Sequence, residues 1–262
     1  MTWKAVARSS AGTSHQKQQI PCQDYGAYKI LNNVIVAAVA DGAGSAKHSE
    51  IGAKLAVKTV IRYLAGIEEW LQKRKGFWQL PPEPLSEELA RKIFTKTIEK
   101  VLAVLQKQAA NHGYAVNDLA CTLLILIATP NWIAAMQIGD GFIVMRSQAN
   151  NDQHQLLFLP DKGEFINETT FVTSASALAE MRVCVKTTPQ AFICASTDGL
   201  EPVAVRMSDW TAFTPFFQPL EAYLRETCEP EHEDEYLMNF LNSDRLNART
   251  SDDKTLLLCL FE

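Results

Sequence analysis

The sequence predicts a single α+β domain over residues 1–262, and three observations lead to this fold class. Strand-like segments open the chain, two long helix-like segments follow, and strands then return before a helical region and a closing strand. Single strands and helices do not alternate as a doubly wound sheet requires, and neither GxGxxG nor GxxxxGK[ST] is present. No low-complexity linker or internal repeat divides the chain. We therefore expect mainly antiparallel strands between neighbours in sequence, with the helices grouped apart.

The composition suits a globular core and argues against several classes of protein. Hydrophobic residues make up 47% of the chain, which is too many for a disordered one. The net charge of −5 argues against a broad nucleic-acid surface. The longest apolar runs, near 34–40 and 119–128, are shorter than the roughly 20 residues that span a bilayer, and the N-terminal segment lacks an apolar leader region. We expect a cytoplasmic protein with no nucleic-acid or membrane partner.

The possible metal ligands are mainly carboxylates. The six cysteines show no CxxC spacing and several lie in apolar runs, so we expect buried thiols rather than disulfides. The five histidines form no HxxxH or HExxH pair, which argues against a zinc site.

The N-terminal half predicts strands followed by two helices. Alternating or apolar segments predict strands at 3–9, 25–31 and 33–40, with a hairpin turn at Asn32-Asn33. Helical spacing of apolar residues then predicts a helix over about 49–65. A proline-rich loop is expected at 76–88, and Ser86 near its end is a suitable N-cap for a helix to about 110.

The C-terminal half returns to strands. Apolar segments predict strands at 120–130, 131–139, 142–147, 155–160, 191–197 and 255–261. A short helix is expected at 174–181 and helical packing within 209–245. Pro130-Asn131 and Asp140-Gly141 supply turns between strands.

Aspartates occur at the ends of four predicted strands. Asp41, Asp140 and Asp198 each follow an apolar run and precede a glycine, and Asp252 comes just before the last apolar run. A single Asp-Gly usually marks a turn, and Asp140-Gly141 is the one best explained as a hairpin. If the strand ends share an edge, however, the carboxylates converge there and repel one another unless a cation neutralises them. Oxygen ligands favour Mg²⁺ or Mn²⁺, and two such ions can activate a water and bind phosphoryl oxygens.

Five segments resemble the ordered motifs of the metal-dependent protein phosphatase 2C family. They are SSAGTSHQKQQIPCQDYG (9–26), VAAVADGAGS (36–45), MQIGDGFIVMR (136–146), CASTDGLEP (194–202) and TSDDKTLLLCL (250–260). The first is more like the bacterial branch with a PCQD motif. The resemblance extends over nearly the whole chain, and it implies a four-layer sandwich of two central, mainly antiparallel sheets flanked by pairs of helices.

The resemblance also implies a metal site. Asp41 would bridge two Mn²⁺ or Mg²⁺ ions, and the carbonyl of Gly42 would bind one of them. Asp198 and Asp252 would complete the second ion's site, and Asp140 with Asp198 would hold a weaker third ion.

The implied reaction is hydrolysis of phosphoserine and phosphothreonine on proteins by a metal-activated water, without a phosphoenzyme. The implied catalytic residues are Asp24, Asp41, Asp198 and Asp252, with Asp24 acting through metal-bound water. A phosphorylated protein is then the substrate, a serine/threonine kinase is a possible opposing partner, and a monomer is expected.

The chain departs from the family pattern in three places. Many members carry a phosphate-binding arginine near the opening motif, where this chain has GTSHQKQQIPCQD, so His15 and Lys17, or Arg8 in the preceding strand, are candidates for that role. Asp253 replaces the usual asparagine and would either attract cations or face solvent. The usual GDSR is GDGF at 139–142. The segment 161–173 lies where the family carries a variable flap; it is either a solvated loop or a source of substrate contacts, for which Glu164, Asn167 and Thr170 are the candidates.

Two other functions stay open at this point. The missing arginine favours a catalytically weak, phosphatase-like domain that binds a phosphorylated partner. A metal-dependent hydrolase of small phosphorylated molecules is the third possibility.

Overall fold

A computed structural model describes residues 2–75, 84–149, 153–159, 169–227 and 235–262, with the backbone alone over 67–75. Within these ranges the strands form two five-stranded sheets and a two-stranded ribbon, and every pairing is antiparallel. No helix among them combines the length and apolar character needed to cross a lipid bilayer.

Most of the longer strands follow the apolar runs of the sequence, but the strand expected at 155–160 covers only 155–156, and the strands at 182–186, 205–206 and 211–212 were not predicted. In chain order they are β1 (Trp3–Ser10), β2 (Tyr25–Leu31), β3 (Val34–Ala40), β4 (Leu123–Ala128), β5 (Ile133–Ile138), β6 (Phe142–Ser147), β7 (Gln155–Leu156), β8 (Arg182–Lys186), β9 (Gln190–Ser196), β10 (Val205–Arg206), β11 (Thr211–Ala212) and β12 (Lys254–Phe261). One sheet has the order β1-β12-β9-β6-β7 and the other β2-β3-β4-β5-β8. The pairing of β1 with β12 joins the two ends of the chain in one sheet.

The helices lie in two groups along the chain. They are α1 (Thr13–Gln18), α2 (Ser49–Lys75), α3 (Glu87–His112), α4 (Ala177–Glu180), α5 (Glu201–Ala204), α6 (Thr214–Glu226), α7 (Glu235–Leu241) and α8 (Asp244–Asn247). Two short 3₁₀ turns, Val116–Leu119 and Asp198–Leu200, connect other elements.

Three apolar clusters show how the layers pack. Side chains of both sheets meet in a central cluster that includes Ile35, Ile193 and Leu257. A second cluster joins α2 and α3 to the outer face of the sheet that contains β3, and a third joins α6, α7 and α8 to the outer face of the sheet that contains β9. Since a sheet is stable when both faces are covered, the result is helices, sheet, sheet, helices. This arrangement confirms the predicted α+β four-layer sandwich.

Several local predictions are confirmed by the backbone. The β2–β3 hairpin turns at Asn32, whose φ of 54° is the left-handed conformation that asparagine tolerates. The Ser86 hydroxyl caps α3 by accepting a hydrogen bond from the Leu89 N–H at 3.2 Å.

The α2 helix extends to Lys75, beyond the expected end near 65, because Glu, Leu, Gln, Lys and Arg in that stretch favour helix. Of the loop expected at 76–88, residues 76–83 lie outside the described residues.

The interpretation of Asp140-Gly141 as a hairpin turn is wrong. β5 pairs with β4 and β8 in one sheet, whereas β6 pairs with β9 and β7 in the other. The Asp140-Gly141 turn therefore carries the chain from the end of β5 in one sheet to the start of β6 in the other. An Asp-Gly dipeptide between two apolar runs does not distinguish these geometries.

Arg146 and Glu221 form a buried ion pair between β6 and α6. Arg146 Nε donates to Glu221 Oε2 at 2.8 Å, and its Nη2 contacts the other carboxylate oxygen. Arg225 Nη2 adds a bond of 2.7 Å to Oε1, and His154 Nε2 lies 3.5 Å from Oε2. Burial alone would raise the pKa of Glu221, but His154, Arg146 and Arg225 together lower it to about 2.

We expect this ion pair to make the free energy of unfolding decrease as the pH is lowered. A carboxylate with a depressed folded-state pKa stabilises the protein fully above its unfolded pKa of about 4.3, and this contribution is lost as the pH falls towards 2. The Glu221→Gln variant should therefore unfold more easily than wild type at pH 7, and the difference should shrink between about pH 5 and pH 2. Urea unfolding followed by circular dichroism at several pH values measures it, and a difference independent of pH would contradict the pairing.

Candidate active site

The strand order brings the predicted aspartates to one edge of the molecule. β3 and β5 run in the same direction, so Asp41 and Asp140, which follow them, lie at the same end of their sheet. β9 and β12 are antiparallel neighbours, so Asp198 after β9 lies beside Asp252 before β12. Asp24 precedes β2, which pairs with β3 at the end occupied by Asp41.

Three of these carboxylates form a close group. Asp41, Asp140 and Asp198 each present an oxygen, and the three oxygens lie within 4.8 Å of one another. Asp252 is exposed and does not belong to this group, although its charge acts on both Asp41 and Asp198. Its Oδ1 accepts a hydrogen bond of 2.8 Å from the Asp253 N–H, which fixes its position beside β12.

Asp24 is the most deeply buried of the five aspartates. The Thr197 hydroxyl donates to its Oδ2 at 2.7 Å, which ties the start of β2 to the segment before Asp198. Its Oδ1 is buried and has no N–H or hydroxyl donor among the described residues, and the Asp24 carboxylate lies close enough to that of Asp41 to share a proton with it. A buried carboxylate oxygen without a donor is costly, so this atom points to a water or an ion in the site.

The backbone around Asp41 is held on both sides by the segment that precedes β4. The Asp41 N–H donates to the Thr122 hydroxyl at 3.0 Å, and the Thr122 N–H donates to the Asp41 carbonyl at 2.8 Å. A bond of 2.9 Å from the Ala43 N–H to the Ala120 carbonyl follows on the other side of Gly42. A Cβ at Gly42 would lie 2.7 Å from that of Ser49, so the close approach of α2 requires glycine here.

Gln137 and Thr169 position Asp140. The Gln137 amide nitrogen donates to the carbonyls of Gly139 and Gly141 at 2.9 and 2.7 Å, and so it holds the turn on both sides of Asp140. The Thr169 hydroxyl donates to Asp140 Oδ2 at 2.6 Å. Thr169 comes from the segment that the sequence identified as a flap.

The electrostatics of the cluster favour a bound cation. Burial, and then the charges of Asp24 and Asp198, raise the pKa of Asp41 far above its usual range. Burial is likewise the main cause of the raised pKa values of Asp24 and Asp198. Divalent cations that prefer oxygen ligands would offset the repulsion among these carboxylates. The Oδ1 atom of Asp24 supplies a further acceptor. The residues present therefore fit a divalent metal.

The three phosphate-binding candidates differ in their surroundings. His15 is on α1, and its Nδ1 lies 2.9 Å from Asp253 Oδ1. Lys17 is exposed two residues later, and residues so spaced do not share a helix face. Arg8 Nη1 donates to the carbonyl of the adjacent Ala7 at 2.8 Å.

Asp253 does not face solvent, which corrects one of the two expectations for it. Its side chain is 2% exposed and accepts three hydrogen bonds from the N-terminal segment. Besides His15, the donors are the Gly12 N–H at 2.7 Å and the Gln23 N–H at 2.5 Å. Asp253 therefore ties the loop between β1 and β2 to the metal-site edge and fixes the orientation of His15.

The flap candidates are only partly placed. Glu164 and Asn167 lie outside the described residues. The Thr170 hydroxyl contacts the Glu180 carboxylate.

Gly199 allows the segment after Asp198 to pack against β12. A Cβ at this position would lie 1.9 Å from the Asp253 carbonyl oxygen, which is backbone and cannot move aside easily. We expect Gly199→Ala to destabilise the protein by about 2–4 kcal/mol through this clash. Gly66→Ala is the matched control, since nothing lies within 4 Å of its Cβ and alanine favours helix. Thermal unfolding compares the two, and equal melting temperatures would contradict the close approach.

Comparison with known proteins settles which family has this combination of sandwich and carboxylate cluster. Residues 11–242 match the family described as protein phosphatase 2C. The chain belongs to the protein phosphatase 2C family. It is 35% identical, over its full length and 99% of the relative, to serine/threonine-protein phosphatase 3 of Escherichia coli. These matches confirm the family and the class of metal-dependent serine/threonine protein phosphatase that the motifs indicate.

Solved structures agree on the fold. A bacterial serine phosphatase variant superposes with a TM-score of 0.63 at 13% identity, with full coverage of both chains. The serine/threonine phosphatase Stp1 of Staphylococcus aureus gives 0.60 at 14% identity, covering 100% of this chain and 96% of that one. RsbX, solved in complex with magnesium, gives 0.52 at 14% identity, with 99% and 96% coverage.

Sequence reasoning missed the polar residues that hold the aspartates in place. Thr122, Gln137, Thr169 and Thr197 all bond to an aspartate or to its flanking backbone. Gln137 carried a signal, because it is the one polar residue inside the apolar run IAAMQI. Thr169 and Thr197 carried none, since threonine is common at strand ends and in loops.

Proposed function

We propose that this chain hydrolyses phosphoserine and phosphothreonine on proteins at the edge where Asp24, Asp41, Asp140, Asp198 and Asp252 meet. The observation that supports this most is that one carboxylate oxygen from each of Asp41, Asp140 and Asp198 lies within 4.8 Å of the other two. These residues follow strands of both five-stranded sheets. Bound divalent cations would activate a water for attack on phosphorus and neutralise the phosphoryl oxygens.

The proposed ligand set combines the close group of Asp41, Asp140 and Asp198 with the Gly42 carbonyl and Asp252, which the family resemblance adds. Asp41 and the Gly42 carbonyl would hold one Mn²⁺ or Mg²⁺, with Asp41 shared by a second ion that Asp198 and Asp252 complete. Asp140, with Asp198, would hold a third and weaker ion, because Asp140 is the more exposed. We propose two tightly bound ions on this basis.

Asp24 would act on the attacking water rather than bind a metal directly. Thr197 fixes one of its oxygens, so Oδ1, which has no N–H or hydroxyl donor among the described residues, remains to accept a hydrogen bond from a water in the site. A buried acceptor held in one orientation lowers the entropy cost of positioning that water.

His15 is the candidate that we favour for the substrate phosphate. Its Nδ1 donates to Asp253, so Nε2 is the ring nitrogen left for the substrate, and it donates to a phosphate oxygen when the ring carries both protons. Charge-assisted hydrogen bonds of this kind are among the stronger ones in proteins. Lys17 is the alternative, and it would contribute as an exposed charge rather than as an oriented donor.

Phosphate release from a phosphothreonine peptide in the presence of Mn²⁺ tests the activity. A rate no higher than that of the metal-free protein would contradict it. The missing arginine keeps one rival function open, a domain that binds a phosphorylated partner without turnover. Calorimetry with the same peptide in saturating Mn²⁺ separates them, because the rival binds the peptide and leaves its phosphate intact.

We expect Mn²⁺ to stabilise the protein because it relieves repulsion among the carboxylates. At a concentration 100 times the dissociation constant the gain is about 2.7 kcal/mol, which should raise the melting temperature by several degrees. Differential scanning fluorimetry measures this, and calorimetry with MnCl₂ gives the stoichiometry. Two tight equivalents and one weaker one are expected, while a single equivalent would contradict the two-ion site.

We propose further that residues 1–262 form one catalytic domain that is monomeric and cytoplasmic. The pairing of β1 with β12 supports a single domain, because both chain ends belong to one sheet. The cysteines within the described ranges are free thiols, as in a reducing compartment. A serine/threonine kinase with the same substrates would oppose this activity.

A further inference from the structure

The outer helical layer of the sheet that contains β9 and β12 has a cavity of about 660 Å³, within the range of known ligand pockets. α5, β10, the start of α6 and α8 form its walls. Three half-buried aromatic side chains, Phe213, Phe216 and Phe240, provide an apolar floor, and the Phe216 and Phe240 rings lie 5.8 Å apart. We call this cavity the C-terminal groove.

Three exposed arginines line the same groove. Arg206, Arg245 and Arg249 come from β10, α8 and the segment after α8. No aspartate or glutamate lines the groove, and within the described ranges no carboxylate forms an ion pair with any of the three. The Arg206 guanidinium lies 5.3 Å from the centre of the Phe213 ring. The groove is therefore locally basic in a chain whose net charge is −5.

The groove begins close to the metal site. Pro202, in its wall, is four residues after Asp198, so the two Cα atoms are at most about 14 Å apart. Arg249 is three residues before Asp252, which limits that separation to about 11 Å. A peptide bound at the metal site therefore needs only a few further residues to reach the groove.

We propose that the C-terminal groove docks the segment of a phosphoprotein substrate that flanks the phosphorylated residue. The segment combines Asp or Glu side chains with an aromatic or aliphatic anchor. Its carboxylates pair with Arg206, Arg245 and Arg249, while the anchor packs on Phe216 and Phe240. Charge complementarity selects the acidic partner, and the apolar floor contributes the burial that surface ion pairs alone do not supply. This inference rests on the proposed function and names its substrate class.

Steady-state kinetics test the docking. The probes are phosphothreonine peptides of equal length. Each carries an extension with one phenylalanine, placed either before or after the phosphosite. In one set the extension is acidic, and in the matched set every Glu is changed to Gln. We expect the acidic extension on one side to lower KM by about tenfold, with little change in kcat. In the double variant Arg245→Glu, Arg249→Glu this advantage should disappear. Arg62→Glu, an exposed charge on α2 in the opposite helical layer, should keep it.

Turnover of p-nitrophenyl phosphate shows separately whether the metal site works. Full turnover of this compound with equal KM values for all peptides would overturn the docking and leave the proposed function intact. No turnover of any substrate by the wild type would instead overturn the proposed function.

A direct binding measurement does not depend on catalysis. The probe is a fluorescein-labelled, unphosphorylated peptide with the acidic extension, followed by fluorescence anisotropy in EDTA. Binding that weakens at least fivefold in the arginine double variant, and with added salt, supports the groove. Binding that appears only after Glu229, Glu231, Glu233 and Asp234 are changed to their amides would assign the groove to the chain's own acidic run instead. A dimer of the wild type that the double variant dissociates, detected by light scattering, would assign it to a second copy.

Discussion

Asp41→Asn should lower the rate of phosphate release by about a thousand-fold or more in saturating Mn²⁺. Asp41 belongs to the close carboxylate group and is the proposed bridge between two ions, so an amide there weakens both sites at once. Phosphate release from a phosphothreonine peptide measures the loss. Glu99→Gln, at an exposed position on α3, removes a carboxylate charge elsewhere and should keep full activity. An Asp41→Asn variant with wild-type activity would disprove the assigned site.

The same variant should be more stable than wild type when no metal is present. Burial and the charges of Asp24 and Asp198 raise the pKa of Asp41, and a carboxyl with a raised folded-state pKa destabilises the protein at pH values above its unfolded pKa. An amide avoids this penalty. We expect the melting temperature in EDTA to rise by about 2–4 °C and the order to reverse in saturating Mn²⁺. A variant that is less stable in both conditions would show that Asp41 is structural.

The aspartates were the most predictable part of the site, for two reasons: their pattern in the sequence and the direction of the strands that they follow. Asp41, Asp140 and Asp198 each follow an apolar run and precede a glycine; one such dipeptide indicates only a turn, but its recurrence at several strand ends indicates a shared site. Strand direction then brings Asp41 and Asp140 to one edge, because β3 and β5 are separated by one antiparallel strand. Groups that repel one another when the fold forms indicate function rather than stability.

The division of the strands between two sheets was less accessible. The positions of β3, β4, β6 and β9 follow from their apolar runs, but each run is buried on both faces and carries no sign of its partner. The crossing between sheets at Asp140 has the same local sequence as a hairpin turn. The sheet that β6 joins is set by its pairing with β9, which is distant in sequence. The α1 helix was also missed, because TSHQKQ has no apolar residue from which a helical period could be recognised.

Asp253 shows a further limit of sequence reasoning. Its donors, Gly12, His15 and Gln23, are at least 230 residues away along the chain. Only the pairing of β1 with β12 brings the loop that follows β1 beside Asp253, which directly precedes β12. The sequence therefore identified His15 as a candidate and could not identify the carboxylate that orients it.

We expect His15→Asn to lower kcat/KM for a phosphothreonine peptide by about 10–100-fold, mainly through KM, if His15 Nε2 binds the substrate phosphate. The Asn side-chain nitrogen occupies a position similar to that of His Nδ1, so the bond to Asp253 can persist while the outer donor is lost. The melting temperature should therefore stay close to that of wild type, and the stoichiometry of Mn²⁺ binding should not change.

His15→Gln is the complementary variant. The Gln side-chain nitrogen corresponds to His Nε2, so this change keeps a donor for phosphate and gives up the bond to Asp253. It should retain more activity than His15→Asn and lose more stability, because Asp253 is 2% exposed and loses one of its three donors. If both variants lose only stability, His15 is a purely structural partner of Asp253. If instead Lys17→Gln raises KM while His15→Asn does not, the phosphate contact belongs to Lys17, and the oriented-donor arrangement at α1 is excluded.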